Sequence, residues 1–224
     1  MIAAVIGATG QTGELLVNRL LKDPLFQQVR ILVRNPIQST APQLECIPVD
    51  FGDSSALKKA LSGVEVLFCC IGTTLRKVRG NKVLYRSIDL EIPVRVATLG
   101  QQLGCRQFVL MSSVGADPAA RNFYLKLKGE TELALSAIGL ESLHIMQPSM
   151  LLGKRKEPRL AEAVAKVLMK WTAPLFAGPL KKYRPIEADR VAAAMIAVVK
   201  SKMPGIHRYT YGDIMQWANE LLPG

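Results

Sequence analysis

The chain has 224 residues, 49% of them apolar and 21% charged, which suits one α/β domain with a buried core and excludes a disordered chain or two domains of ordinary size. Its formal net charge of +11 admits nucleic acid, a membrane surface or a polyanionic small molecule as partner, without choosing among them. No apolar run reaches the roughly 18 to 20 residues of a membrane span, and Met1 leads straight into a strand-like run, so a soluble cytoplasmic protein is expected.

Residues 2–6 form a short apolar run that ends at Gly7, and from Thr12 to Leu21 apolar side chains recur at helical spacing through Leu15, Leu16 and Leu20. This predicts strand, tight turn, helix. Further runs of strand length lie at 29–33, 44–49, 64–71, 108–111 and 142–146, each bounded by polar or turn residues and each expected to be buried on both faces. Helices are predicted at 54–61, at 83–103 ending before Gly104, and at 122–138 ending before Gly139. Strands alternating with helices imply right-handed crossovers and a doubly wound, mostly parallel sheet covered on both faces. Residues 1–148 would form this core. A substrate-side insertion over about 149–184 follows, with a basic loop and an amphipathic stretch from Leu160 to Trp171. A strand near 183–186, a helix at 188–199, a strand near 207–211 and a helix at 213–222 would close the domain.

Cys46, Cys69, Cys70 and Cys105 contain no C-x-x-C, and the adjacent Cys69 and Cys70 should point to opposite sheet faces, as buried free thiols. His144 and His207 are the only histidines and have no ligand cluster around them. A metal site and a Ser-His-Asp hydrolase are therefore not expected.

Gly7, Gly10 and Gly13 make G-x-x-G-x-x-G between the first strand and the first helix. Backbone N–H groups and the helix dipole there favour a pyrophosphate, with Thr9, Gln11 and Thr12 completing the loop. Gly7 permits the sharp exit from the strand, Gly10 lets the backbone approach phosphate, and Gly13 lets the helix pack closely. An NAD-selective site usually has an acid at the end of the second strand. Here Arg34 follows Val33, and a guanidinium there would attract the 2′-phosphate of NADP(H). Asp50, with Phe51 beside it, follows the third strand, where a carboxylate could accept from adenine or instead cap the next turn. Ile71, Gly72 and Thr73 end the fourth strand at the ligand-binding edge of the sheet.

Tyr124 and Lys128 stand four positions apart on a predicted helix and so share one face. An ammonium beside a phenol favours the phenolate, which suits Tyr124 to proton transfer at a carbonyl or alcohol oxygen, while Lys128 could hold the nicotinamide ribose. Ser112 and Ser113 end the fifth strand, and one of their hydroxyls could bond the substrate oxygen during hydride transfer.

Gly-Ala-Thr-Gly-Gln-Thr-Gly, Cys-Cys-Ile-Gly-Thr-Thr, Ser-Ser-Val-Gly-Ala-Asp and Tyr-Leu-Lys-Leu-Lys-Gly-Glu together resemble the atypical short-chain dehydrogenase/reductases, most closely the Tat-interacting-protein oxidoreductase group related to the NmrA-like proteins. The resemblance covers nearly the whole chain and is strongest from Ile2 to Gly153. It implies a Rossmann fold, NADPH binding, Ser113, Tyr124 and Lys128 in the catalytic positions, and Pro148 at the start of the loop beside the nicotinamide. One departure stands out: Asp89 falls where many active relatives carry a helix asparagine that supports a proton relay.

Lys154, Arg155, Lys156, Arg159, Lys166, Lys170, Lys181, Lys182 and Arg184 concentrate positive charge on the substrate side. This segment could draw the chain to a membrane surface or an acidic partner, but an amphipathic lid with a solvated basic face accounts for it more simply. No nucleic-acid-binding module accompanies the charge. The expected activity is NADPH-dependent reduction of a small carbonyl compound, or the reverse oxidation of an alcohol, by a monomer or homodimer. The alternative is a regulatory protein that binds NADPH with little turnover.

Overall fold

Nine short strands form among the described residues, all but β7 at or near expected runs: β1 (Ile2–Ile6), β2 (Gln28–Val33), β3 (Leu44–Pro48), β4 (Val66–Cys69), β5 (Gln107–Met111), β6 (Ser142–Met146), β7 (Leu151–Leu152), β8 (Ile186–Glu187) and β9 (Gly205–Tyr209). The structure, a computed structural model, describes residues 1–37, 41–153 and 178–221. Seven strands make one sheet in the order β3-β2-β1-β4-β5-β6-β9, with every neighbouring pair parallel. The first six follow the order 3-2-1-4-5-6 of dinucleotide-binding folds, and the strand order reverses between β1 and β4. β7 and β8 pair separately as a small parallel ribbon.

Alternation along the strands feeds two cores. Ala3 and Val5 of β1, with Val66 and Phe68 of β4, pack on one face against Leu16 and Leu20 of α1 (Gln11–Leu20) and against Met195 and Ile196. Ala4, Ile6, Leu67 and Cys69 pack on the other face with Leu57 and Leu61 of α2 (Ser54–Leu61) and with Val96 and Leu135. Such two-sided burial explains why these strands read as unbroken apolar runs. Cys69 and Cys70 do part to opposite faces, Cys69 joining the second core and Cys70 packing against the first. Burial pushes the Cys69 and Cys105 thiols up to about 12 and the Cys70 thiol higher still, so these are inert core side chains.

β3 departs from the expected two-sided burial, because it is the edge strand and only half-buried. Its Glu45 binds Arg30 Nε at 2.9 Å and Gln28 Nε2 at 2.8 Å across the strand pair.

The helix expected as one piece over 83–103 is three. A short α3 (Lys82–Arg86) passes into a five-residue π turn, Ser87–Glu91, and then into α4 (Ile92–Gln102). Asn81 caps α3 by accepting from Leu84 N–H at 3.0 Å. α5 (Phe123–Ser136) begins at Asn122, whose Oδ1 accepts from the N–H groups of Tyr124 and Leu125 at 2.9 and 3.2 Å. That cap fixes the first turn of the helix bearing Tyr124 and Lys128. α6 (Ala188–Ser201) is buried along most of its length and is tied to α1 by Arg19 Nε donating to Asp189 at 2.8 Å. α7 (Tyr211–Leu221) starts two residues before the expected position, since Asp213 reaches back to accept from Thr210 N–H at 2.9 Å. The predicted helix 160–171 lies outside the described residues. Among those residues, no helix is long and apolar enough to cross a membrane.

Candidate active site

The glycine loop sits where β1 and β4 part. Gly7 has φ +80°, and a Cβ there would stand 2.5 Å from the Cys70 carbonyl carbon and the Ile71 nitrogen, so only glycine lets the loop lie on the end of β4. A Cβ at Gly13 would fall 2.2 Å from the Gly7 oxygen. The turn closes with Gly10 N–H donating to Gly7 O at 3.1 Å, and α1 begins at Gly10 without a side-chain cap. An α1 N-terminus with no side chain of its own over it is what an incoming pyrophosphate needs. Thr9 and Gly10 are exposed, while Thr12 and Gly13 are buried beneath them. Gln11 reaches sideways, its Nε2 donating to Leu152 O of β7 at 3.1 Å.

Beyond the loop, a cleft of about 640 Å³ opens over the ends of β2 and β3. Arg34, Asp50 and Phe51 line it together with Leu84, Ser87, Ile88, Glu91 and Arg95 from the broken helix. Asp50 takes the turn-capping role, accepting from Gly52 N–H at 2.8 Å, and still borders the cleft. Arg95 donates to Phe51 O at 2.7 Å and brings a second guanidinium to the cleft that Arg34 lines. Sequence reasoning missed Arg95. The signal was a stripe at positions 84, 87, 88, 91, 92 and 95, helical spacing in which apolar Leu84, Ile88 and Ile92 alternate with polar Ser87, Glu91 and Arg95, so that a search for apolar faces passes over the arginine.

A second cluster lies on the other side of the π turn. Asp89, 1% exposed, accepts from Thr73 N–H at 2.8 Å through Oδ1 and turns Oδ2 to within 3.3 Å of Lys128 Nζ. Lys128, 5% exposed, also approaches the Met111 carbonyl at 3.4 Å. Burial works against its ammonium, but the Asp89 carboxylate, with Tyr124 adding to it, outweighs that and raises the lysine pKa. Burial raises the Asp89 pKa as well, against the pull of Lys128 and of the Thr73 N–H. Gly72 borders the pair, since a Cβ there would be 3.6 Å from Asp89 Oδ2, and Tyr85 Oη donates to Thr73 O at 3.1 Å to hold the loop. Tyr124, 39% exposed, lies one turn before Lys128 on α5. The end of β4, the end of β5 and the first two turns of α5 thus converge on one buried ion pair.

The two serines divide. Ser112 donates its hydroxyl to Glu132, whereas Ser113 makes only a long contact of 3.4 Å to the Val114 carbonyl. Both are nearly buried. Pro148 is buried beside them and its carbonyl accepts from Val114 N–H at 3.0 Å. Glu132 was not foreseen: 4% exposed, it also accepts from Gln147 Nε2 at 2.9 Å and from Arg208 Nε at 3.2 Å, tying α5 to β5, β6 and β9. Among the described residues no group of His, Cys, Asp or Glu is arranged to hold a metal ion. Of the basic segment, Lys181, Lys182 and Arg184 fall in or next to a 3₁₀ turn at Gly178–Tyr183, while Lys154, Arg155, Lys156, Arg159, Lys166 and Lys170 lie outside the described residues.

A family model described as NAD(P)H-binding matches residues 7–202. Among curated proteins, HTATIP2 of Rattus norvegicus is 32% identical over 165 residues, 72% of this chain and 67% of the relative. The mitochondrial protein FMP52 of Eremothecium gossypii is 35% identical over 156 residues, 70% of this chain and 69% of the relative. Among solved structures, a dTDP-glucose 4,6-dehydratase from Streptomyces venezuelae with NAD bound superposes with a TM-score of 0.74 at 16% identity, covering 100% of this chain and 80% of that one. At that identity the likeness speaks for the fold.

Proposed function

Since the chain belongs to the NAD(P)H-binding family, we propose that it is an NADPH-dependent oxidoreductase of the short-chain dehydrogenase/reductase type acting on a small carbonyl or alcohol compound. The observation that carries this reading is Lys128, a buried ammonium anchored one helical turn from the accessible Tyr124, at the same sheet edge as the glycine loop. The residues suit the dinucleotide: Gly7 and Gly13 let the loop and the start of α1 lie close against the end of β4, the α1 N-terminus is uncapped by side chain, and the adjoining cleft has the volume of a ligand site. Arg34 and Arg95 would meet a 2′-phosphate, which favours NADP(H) over NAD.

When bound, the dinucleotide supplies a hydride to the carbonyl carbon, or takes one from the alcohol. Tyr124 gives its hydroxyl proton to the carbonyl oxygen as that oxygen gains the electron pair of the broken π bond, so one hydride and one proton make the alcohol. Lys128 stabilises the phenolate left behind and holds the ribose. Ser113, whose hydroxyl has no strong partner of its own, donates to the substrate oxygen. Tyr124→Phe is expected to lower turnover by about 10²- to 10⁴-fold while leaving NADPH affinity within a factor of about two. Arg34→Ala should weaken NADPH binding by roughly tenfold and leave NADH binding unchanged, which titration of both cofactors reads directly.

One observation favours a second reading, in which the protein binds NADPH with little turnover: Asp89 neutralises the very ammonium that would make Tyr124 a better acid. Tight NADPH binding with no turnover on a broad carbonyl panel would decide for it.

A further inference from the structure

The Asp89–Lys128 pair has a cost that its local contacts do not explain. A buried ion pair is poor value for stability compared with apolar side chains of the same size, and this one is presented by a π turn, a geometry that is rare and concentrates at functional sites. The pair is also incompletely satisfied. Asp89 Oδ1 is taken by Thr73 N–H, but Oδ2 is buried and has no aligned hydrogen bond; its neighbour is the ammonium at 3.3 Å, and on its other side stands Gly72, which has no side chain to cover it. Among the described residues, the ionisable groups with which the pair interacts are Tyr124 on helix α5 and Cys69 and Cys70 at the end of β4, both thiols held neutral by burial. Lys128 without Asp89 would leave this end of the site with a net positive charge, and Asp89 brings it to zero.

That balance matters for a ligand whose own charge changes. The nicotinamide ring is cationic when oxidised and neutral when reduced, so a bare ammonium close by would penalise the oxidised form alone. Resting on the dinucleotide reading above, we propose that Asp89 is a specificity-determining residue for the redox state of the bound dinucleotide: it cancels the Lys128 charge, and the protein holds the oxidised form more tightly, relative to the reduced form, than Lys128 alone would permit.

The test is a binding cycle without turnover. Wild type, Asp89→Asn, Lys128→Met and the double variant are each titrated calorimetrically at pH 8 with oxidised and with reduced NADP, and the ratio of the two dissociation constants, oxidised over reduced, is compared. Asp89→Asn keeps an acceptor for Thr73 and is expected to raise that ratio about tenfold, the scale of one charge acting across a protein site. Removing the lysine as well should return it to within about threefold of wild type, since the site is again neutral. A ratio in Asp89→Asn within about twofold of wild type, or one that the second substitution does not restore, overturns the proposal. If Asp89→Asn does not fold, Lys128→Met against the double variant measures the same carboxylate: a lower ratio in Lys128→Met supports the assignment and equal ratios overturn it. Wild type binding neither form would remove the dinucleotide reading itself, an outcome distinct from binding with an unmoved ratio.

Discussion

Two carboxylates are buried on α5 and its neighbours, and they are treated in opposite ways. Glu132 has both oxygens occupied, by Ser112, Gln147 and Arg208. Asp89 has one oxygen bonded and the other facing an ammonium and a glycine. Since unmet hydrogen-bonding capacity in the interior is expensive, a fully met group is best read as a fastening and a half-met one as a place kept for something else. The same face of one helix thus carries a working group and, a single turn further on, a rivet, at Lys128 and Glu132.

The sharpest way to break this contrast is to remove the rivet. Glu132→Ala leaves the Ser112 hydroxyl and the Gln147 amide without their acceptor, while half-exposed Arg208 can turn to water, and should cost about 2–4 kcal/mol in urea unfolding; a loss below about 1 kcal/mol would show that the network is ornamental.

His144 offers a third case for comparison. It is fully buried, with Nδ1 on Tyr209 Oη at 2.9 Å and Nε2 without a hydrogen-bond partner, and it stacks on His207 at 5.6 Å. Burial, with His207 adding to it, pulls its pKa down from 6.5 to about 4. The unfolded chain therefore binds a proton that the folded chain refuses between those values. This contribution to stability is complete above pH 6.5, falls as the pH drops towards 4, and amounts to about 3 kcal/mol at most. Unfolding free energies measured at pH 7, 5.5 and 4.5 should show this slope, and His144→Phe should flatten it.

The smallest effect is expected at the working pair. Replacing both partners, Asp89→Asn with Lys128→Met, leaves no unpaired charge and should change stability by less than about 1 kcal/mol, although both side chains are buried. A loss as large as that of Glu132→Ala would erase the distinction between the two carboxylates.

The sequence announced the parts of the molecule that follow a period. Apolar runs such as 2–6 and 142–146 became central strands because both faces of the sheet are covered, and Gly7 and Gly13 were legible because each answers a backbone crowding that only glycine tolerates. The π turn was not legible. It inserts an extra residue into a helix whose apolar pattern runs on through it, so neither its position nor the inward turn of Asp89 leaves a mark in hydropathy. Glu132 and Arg208 stand 76 residues apart, and their pairing depends on β9 joining the sheet beside β6, a long-range event that no local spacing records. Tyr124 and Lys128 could be paired from spacing alone, whereas the separation of Ser112 from Ser113 required knowing which side of β5 holds an acid.

The bond from Gln11 to the Leu152 carbonyl joins the first residue of the first helix to the ribbon formed by β7 and β8. Gly153, at φ +142°, adjoins the same amide, since a Cβ there would stand 2.5 Å from the Gln11 amide nitrogen. The amino end of α1 and the small β7–β8 ribbon are therefore coupled across 141 residues of sequence, so that displacing the Gln11 amide at the glycine turn also frees the carbonyl that anchors the ribbon.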